Sequence, residues 1–201
     1  MEASVETPGR LEGEKAQRII GAMRQSVAAR GAAGSTFDIV AREAGVSRGL
    51  LHYYFGSKER LLVEVVRRDC DTRIAALEER LEAAGSEDEI IESLVQSLRA
   101  FVAEEAPQAV LYEMISASRH SEEIRAELGE LYIRWREHLA EALRHKERQG
   151  VVRLQADSEA VASLLFALGD GLGMQLMADP EWDSGPAFEL AIAAARRLLG
   201  D

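Results

Sequence analysis

The stretch from Thr36 to Phe55 reads TFDIVAREAGVSRGLLHYYF, and its spacing predicts two short helices joined by a tight turn. Ala41 is small, which allows the second helix to approach the first closely. Gly45 follows four residues later, where a left-handed backbone conformation ends the first helix at little cost. Leu51 lies six residues beyond Gly45 and is expected to point back into the core. This is the spacing of a helix-turn-helix, which presents its second helix outward and can place that helix in the major groove of DNA.

The exposed side chains of the second helix favour a role in DNA binding, although the same spacing occurs in helical hairpins that are only structural. Most of them carry hydrogen-bond donors, grouped around a glycine that permits close approach: Ser47, Arg48, Gly49, His52, Tyr53 and Tyr54. Such groups suit phosphates and base edges. Lys58 lies in the first turn of the next helix, where the helix dipole disfavours a cation and favours a phosphate. We therefore expect Lys58 to contact a phosphate, the alternative being a lysine that is only solvated.

The distribution of charge supports this interpretation, although the whole chain carries a net charge of −11. Residues 10–62 hold nine Lys and Arg against five Asp and Glu, whereas residues 63–201 hold fifteen against twenty-eight. A basic segment joined to an acidic one indicates two functions. We predict a DNA-binding domain at 14–62, with its motif at about 36–55, and a second, acidic domain at 63–201. Residues 1–13 are expected to form a flexible arm.

Helical patterns run through almost the whole chain, and no window shows the alternation of a strand. We predict an all-α protein of about nine helices. The first helix is expected to run from Glu14 to Arg30, with Gly31 and Gly34 ending it. Ser35 and Thr36 both offer a cap for the second helix, and Asp38 has the spacing of a capping box with Ser35. Later helices are predicted to begin at capping side chains or at a proline: Ser57, Ser86, Pro107, Ser121 and Asp157.

Composition narrows the class of protein further. Cys70 is the single cysteine, so it forms no intramolecular disulfide, and it is expected to be packed rather than reactive. The N-terminus lacks the pattern of a secretory signal, and no stretch approaches the roughly 18 uncharged apolar residues of a membrane span. We therefore expect a soluble cytoplasmic protein. His138 and His145 lie seven residues apart, too far for one metal ion, and we expect neither a metal nor a cofactor.

The segment AREAGVSRGLLHYYFGSKERLL, from Ala41 to Leu62, resembles the signature of the TetR-type transcriptional regulators. This resemblance covers about residues 14–62. Leu111 to Gly150 and the later DGLGMQL (Asp170–Leu176) resemble the C-terminal domains of regulators related to the choline/betaine repressor. The resemblance implies that residues 63–201 form a ligand-binding and dimerisation domain. It also implies a homodimeric DNA-binding regulator, most often a repressor, that a small molecule releases from its operator.

By the same resemblance, the helix from Ser47 is the recognition helix. Arg48 and Gly49 fall where the family commonly contacts bases. Another set falls where it commonly contacts phosphates: Thr36, Ser47, Tyr53, Tyr54 and Lys58. The family usually has a tyrosine where this chain has His52. A neutral imidazole offers one donor and one acceptor, so contact with DNA is retained while the group it meets on the DNA is left open.

The last two long helices carry more apolar surface than one flank of a helical bundle can bury. The candidates for a dimer interface are Val161, Leu164, Leu165, Leu168, Leu172, Leu176, Leu190, Ile192 and Leu198. Two copies of this helix pair would form a four-helix interface with two-fold symmetry. The two recognition helices would then meet successive major grooves, about 34 Å apart, on a near-palindromic operator.

An effector pocket is predicted among the helices that follow residue 57. Its candidate lining residues are large or adaptable apolar groups, two of them with a polar tip: Phe101, Tyr112, Met114, Trp135, Phe166 and Met174. We expect an apolar effector with one polar group, although aromatic residues on helical stripes also form cores. The residues alone leave two other classes of protein open, a helical enzyme and a protein-interaction module whose helix-turn-helix is structural.

Overall fold

The computed structural model describes residues 13–200, and these form nine α-helices and no strand, as the sequence predicts. Of the predicted arm at 1–13, all but Gly13 lies outside the described residues. In chain order the helices are α1 (Glu14–Gly34), α2 (Phe37–Ala44), α3 (Arg48–Phe55), α4 (Lys58–Ala83), α5 (Glu87–Ala103), α6 (Glu105–Ser118), α7 (Glu122–Arg148), α8 (Ser158–Ala178) and α9 (Gly185–Leu199).

The helices are divided between two compact units. The first takes in the residues up to Arg68 together with Ala109–Leu128, and the second takes in Asp69–Gln108 and the chain from Gly129 onward. The first unit therefore holds α1 to α3, the start of α4, most of α6 and the start of α7. The functional boundary predicted at residue 62 stays a prediction.

The first unit is built around apolar side chains that its N-terminal helices turn inward. Ile19 and Met23 of α1, Val40 of α2 and Leu51 of α3 have no exposed surface. Burying a side chain of this size contributes roughly 1.5–3 kcal/mol. The core thus fixes α2 through half of its eight residues and α3 through Leu51.

α1 bends at Gly31, close to the predicted end of the helix. The φ of Gly31 is 69°, in the left-handed region that glycine adopts without strain, and the chain then adds one more turn to Gly34. Ser35 is fully buried, and its hydroxyl donates to the Gly31 carbonyl at 2.9 Å. This bond satisfies a carbonyl at the bend.

Of the two caps predicted for α2, Thr36 is confirmed, and the capping box of Ser35 and Asp38 is wrong. The N-cap of α2 is Thr36, whose hydroxyl accepts from the Ile39 N–H at 3.4 Å. The Ser35 hydroxyl is already used by Gly31, and the Asp38 carboxylate turns to a different partner on α3.

Other helix starts follow the local sequence signals. Each of four side chains accepts a hydrogen bond from an N–H in the first turn of its helix, as predicted: Ser57, Ser86, Ser121 and Asp157. α6 begins at Glu105, two residues before the predicted start at Pro107.

The second unit has one core, to which the end of α4 and the helices α5, α7, α8 and α9 contribute: Leu81, Ala84, Ile90, Ile91, Leu139, Ala140, Leu143, Val152, Val161, Ala162, Ala195 and Leu199. Both α8 and α9 pack against α5. Lys146 is buried, and its ammonium donates to the carbonyls of Glu82 at 2.8 Å and Ala84 at 2.7 Å. These bonds close the C-terminal end of α4.

Within the described residues, α8 is long and apolar enough, by length and composition alone, to cross a membrane, although Glu159 and Asp170 interrupt its apolar run. Only 28% of its apolar window is buried inside the chain. A single copy of the protein therefore presents a large apolar face on α8.

Candidate nucleic-acid interface

Of its eight residues, α3 buries one, Leu51. Tyr53 is 66% exposed, and the rings of Tyr53 and Tyr54 meet edge to face with their centroids 5.0 Å apart. A Cβ added at Gly49 would meet no described atom within 4 Å. The helix therefore offers an outward surface that another molecule can approach closely.

The turn before α3 sets the direction in which the helix points. Gly45 has φ 66° and ψ 39°, the left-handed conformation that the sequence predicts for the end of α2. The Val46 N–H donates to the Ala41 carbonyl at 2.9 Å. Ser47 then caps α3 by accepting from the Leu50 N–H at 3.3 Å.

The guanidinium of Arg48 is held by one residue on each of the two helices. Its Nη1 donates to both carboxylate oxygens of Asp38, at 3.2 and 3.0 Å, and its Nε donates to Nε2 of His52 at 3.2 Å. The His52 imidazole packs edge-on against Phe37, with 4.8 Å between ring centroids. Sequence analysis did not predict the pairing of Asp38 with Arg48, because residues ten apart on two different helices share no periodicity.

Three of the predicted DNA contacts also stabilise the fold. Thr36 and Ser47 each accept one bond as a cap and keep a hydroxyl proton to donate. Lys58 donates from Nζ to the Ala32 carbonyl at 2.8 Å, a partner that neither sequence interpretation foresaw. An ammonium has three N–H groups, so Lys58 retains two for a phosphate.

The predicted pocket residues fall in both units. Tyr112 and Met114 lie on α6 within the first unit, and the other four lie in the second. The rings of Trp135 and Phe166 lie 6.3 Å apart. Met174 is 53% exposed and so lies on the surface of a single chain. Phe101 lies beneath the Arg73 guanidinium, 5.1 Å from the ring centroid.

Two residues that sequence analysis missed extend the ring pair. The Tyr132 ring lies 4.8 Å from that of Trp135, and its hydroxyl donates to Oδ2 of Asp170 at 2.8 Å. We call Tyr132, Trp135, Phe166 and Asp170 the α7–α8 cluster. The signal for it in the sequence is an acidic residue in the middle of the very apolar α8.

Two polar groups of the α7–α8 cluster are buried at a cost in free energy. Burial raises the pKa of the Asp170 carboxyl, although the hydrogen bond from Tyr132 opposes this rise. The Trp135 indole N–H is buried and has no hydrogen-bond partner among the described residues. A molecule bearing a positive charge and an acceptor would stabilise both groups.

The predicted dimer residues are not equally accessible. Val161 packs in the core of the second unit and Leu172 is also buried, so both leave little surface for a second copy. Leu164 is 47% and Leu190 is 72% exposed. The remaining candidates are partly buried: Leu165, Leu168, Leu176, Ile192 and Leu198. The exposed apolar surface of α8 also includes Met174 and Met177.

Metal and thiol chemistry find little support in the described part of the chain. Among residues 13–200, no three His, Cys, Asp or Glu side chains are grouped closely enough to hold a metal ion. Burial raises the pKa of the Cys70 thiol, which disfavours the reactive thiolate.

Two described families match the sequence. Residues 19–65 match the bacterial regulatory proteins of the tetR family, and residues 91–200 match the C-terminal domain of BetI-type transcriptional repressors. The HTH-type transcriptional regulator BetI of Rhizobium meliloti is 30% identical over 167 residues, which make up 81% of this chain and 77% of that protein.

Solved structures share the fold over nearly the whole chain. A TetR-family transcriptional regulator from Rhodococcus sp. superposes with a TM-score of 0.78 at 24% identity, covering 92% of this chain and 98% of that one. A transcriptional regulator from Saccharomonospora viridis, solved in complex with choline, gives a TM-score of 0.75 at 24% identity, covering 94% and 100%.

Proposed function

The chain belongs to the tetR family of bacterial regulatory proteins, with the C-terminal domain of the BetI-type transcriptional repressors, and we propose on this premise that α3 reads an operator from which a small cation releases the protein. As a member of this family, the protein is a DNA-binding transcriptional regulator that acts as a dimer, and it is not an enzyme. Membership also implies a soluble cytoplasmic protein.

The exposure of the side chains on α3 supports the DNA-binding part of the proposal. Leu51 is the one buried residue of the helix, and its exposed side chains, those of Arg48, His52 and Tyr53, are available to the major groove. We assign base contacts to Arg48 and Gly49. Phosphate contacts are assigned to residues that surround them: Thr36, Ser47, Tyr53, Tyr54 and Lys58. His52 contributes by holding Arg48.

A second copy is assigned to the exposed apolar side chains of α8 and α9, chiefly Leu164 and Leu190. A two-fold dimer presents two copies of α3. These would meet successive major grooves about 34 Å apart on a near-palindromic operator.

A gel shift with the DNA upstream of the protein's own gene, at two salt concentrations, tests DNA binding. We expect a shift that weakens as salt rises, because phosphate contacts release counterions. Arg48→Ala should lower operator affinity about tenfold or more if Arg48 reads a guanine. Unchanged affinity in this variant would show that α3 is not the recognition helix.

The effector is assigned to the α7–α8 cluster. Aromatic ring faces attract a quaternary ammonium group, and the Asp170 carboxylate adds a compensating charge. The unpaired Trp135 N–H suits an acceptor oxygen on the same molecule. The relative crystallised with choline makes a small quaternary ammonium alcohol the natural candidate. This class is more specific than the apolar effector with one polar group that the sequence predicts.

Release would follow from a shift between two states of the dimer. A ligand favours the DNA-free state only to the extent that it binds this state more tightly than the DNA-bound one. The α7–α8 cluster therefore has to differ between the two states for the cation to act.

Adding choline to the complex of protein and upstream DNA tests the effector. We expect choline to release the DNA and its neutral carbon analogue dimethylbutanol to have no effect. Asp170→Asn should abolish the response, whereas Glu137→Gln, an exposed acid on α7, should respond like the unmodified protein. Equal release by both compounds, or a normal response of Asp170→Asn, would contradict the assignment.

A further inference from the structure

Asp38 is an acidic residue on the face that is assigned to DNA, and the proposed function leaves it unused. Its side chain is 65% exposed and that of Arg48 is 58% exposed, with 3.0 Å between Oδ2 and Nη1. Exposed ion pairs contribute little to stability, so the fold alone gives no strong reason for this one. A carboxylate in this place also repels the phosphates of an approaching duplex.

The guanidinium of Arg48 is restrained on two sides. Asp38 takes Nη1 and His52 takes Nε, which leaves Nη2 without a partner among the described residues. His52 is itself held in place by the buried ring of Phe37. Arg48 is therefore oriented before it meets DNA, whereas a free arginine would reorient toward the nearest phosphate.

We propose that Asp38 is a specificity-determining positioning residue, which directs Arg48 toward base edges and away from phosphates. This inference rests on the proposed role of Arg48 in reading a base. A guanine presents two acceptors in the major groove and a cytosine presents an amino donor. Arg48 supplies donors for the guanine, and the Asp38 carboxylate accepts from a neighbouring cytosine amino group. The same carboxylate repels phosphates, so Asp38 weakens binding to non-specific DNA more than binding to the operator.

The experiment begins with the full-length protein and a library of random duplexes, from which a tightly bound duplex is enriched. Affinity is then measured for this duplex and for a shuffled duplex of the same composition. Asp38→Asn removes the charge and keeps a side chain of similar shape. We expect the ratio of the two affinities to fall about tenfold, mainly because the shuffled duplex binds more tightly.

Glu43→Gln is the matched control. Glu43 also lies on α2 but pairs with Arg30 at 2.9 Å, so this change removes the same charge without touching Arg48. We expect it to leave the ratio within about twofold of the unmodified protein. Melting curves check that every variant folds, and Asp38→Ser replaces Asp38→Asn if the latter melts early, since serine is favoured near helix N-termini.

The same pair of duplexes separates the positioning role from the alternatives. In an Arg48→Ala background, Asp38→Asn should lower the ratio by less than about twofold, because no guanidinium remains to be oriented and only the weak direct effect of the exposed carboxylate is lost. A ratio that stays the same in Asp38→Asn with Arg48 present, or that falls as far when Arg48 is absent, overturns the inference. Failure of the proposed function looks different, since Arg48→Ala alone would then leave the affinity for the enriched duplex untouched.

Discussion

At the scale of single residues, Lys58 shows how one side chain can serve both the fold and DNA binding. Its ammonium donates to the Ala32 carbonyl, at the end of the bent helix α1. A cation suits the carbonyl end of a helix, which explains how Lys58 is tolerated in the first turn of α4. The two remaining N–H groups still point to a phosphate contact, which stays a prediction.

Replacing Lys58 by alanine is therefore expected to have two effects. The free energy of unfolding should fall by about 1 kcal/mol, because a hydrogen bond from a charged group is lost. The slope of DNA affinity against salt concentration should fall by about one unit. Urea denaturation and binding at several salt concentrations measure these effects, with Lys15→Ala, at an exposed position on α1, as the control. A loss of stability with an unchanged slope would restrict Lys58 to a structural role.

Asp170 makes stability depend on pH in a direction set by its burial. Because burial raises the pKa of its carboxyl, the folded protein binds this proton more tightly than the unfolded chain does. The contribution of Asp170 to stability is therefore fullest below its ordinary pKa of about 3.9 and is lost as the pH rises through the raised value.

Asp170→Asn removes the titrating carboxyl, and with it the loss of stability as the pH rises. We expect the variant to melt at a higher temperature than the unmodified protein at neutral pH and to lose this advantage in acid. Melting temperatures measured across the pH range, with Glu137→Gln as the control, test the expectation. An Asp170→Asn protein that melts lower at every pH would show that the carboxylate is well compensated in the folded state.

At the scale of helices, α2 and α3 contain two glycines that look alike in the sequence and differ in role. Gly45 ends α2 with a φ of 66°, whereas Gly49 lies inside α3 with open space around it. An added methyl group strains the backbone at the first position and only occupies the outer surface at the second.

Alanine at each glycine should separate stability from DNA binding. Gly45→Ala is expected to cost roughly 1–2 kcal/mol of unfolding free energy, and Gly49→Ala to gain about 0.5–1 kcal/mol. Despite its higher stability, Gly49→Ala should bind the operator more weakly, since the methyl group lies where a base edge approaches. Normal operator affinity in this variant would remove Gly49 from the proposed contacts.

Helix boundaries could be predicted because their signals are local. Ser57 and Asp157 cap their own first turns, and Gly45 supplies the turn that its spacing predicts. The sequence leaves two adjacent hydroxyls as candidate caps of α2, and burial of Ser35 decides for Thr36.

Pairings between helices could not be predicted, because periodicity describes one helix at a time. The bond between Asp38 and Arg48 and the bond between Tyr132 and Asp170 each join two helices. The same reason explains why Val161 and Leu172, which the apolar pattern of α8 places in the dimer interface, are buried within the single chain. Exposure within the folded chain, rather than apolar character, separates core from interface.

At the scale of the whole molecule, the exposed apolar side chains of α8 and α9 need a second copy to cover them. Leu190 is 72% exposed, and a charge at this position would be buried in the proposed interface at high cost. Ile133, on α7, is 47% exposed and lies outside the helices assigned to the interface.

Leu190→Glu is expected to turn the dimer into monomers at micromolar concentration, as measured by sedimentation velocity, while Ile133→Glu remains dimeric. The Leu190→Glu monomer should also lose most of its affinity for a two-half-site operator, because the second α3 no longer binds at high effective concentration. A Leu190→Glu protein that stays dimeric would place the interface elsewhere.

The small buried share of α3 has a consequence for how such regulators diverge. Leu51 is the one residue of the helix that is buried, so substitutions at its exposed positions alter which DNA is bound without endangering the fold. Gene duplication followed by change at a few surface codons is then enough to give a daughter protein a new target. Asp38, one helix away, would have to change together with Arg48, and in an alignment of descendants these two columns should mutate in concert.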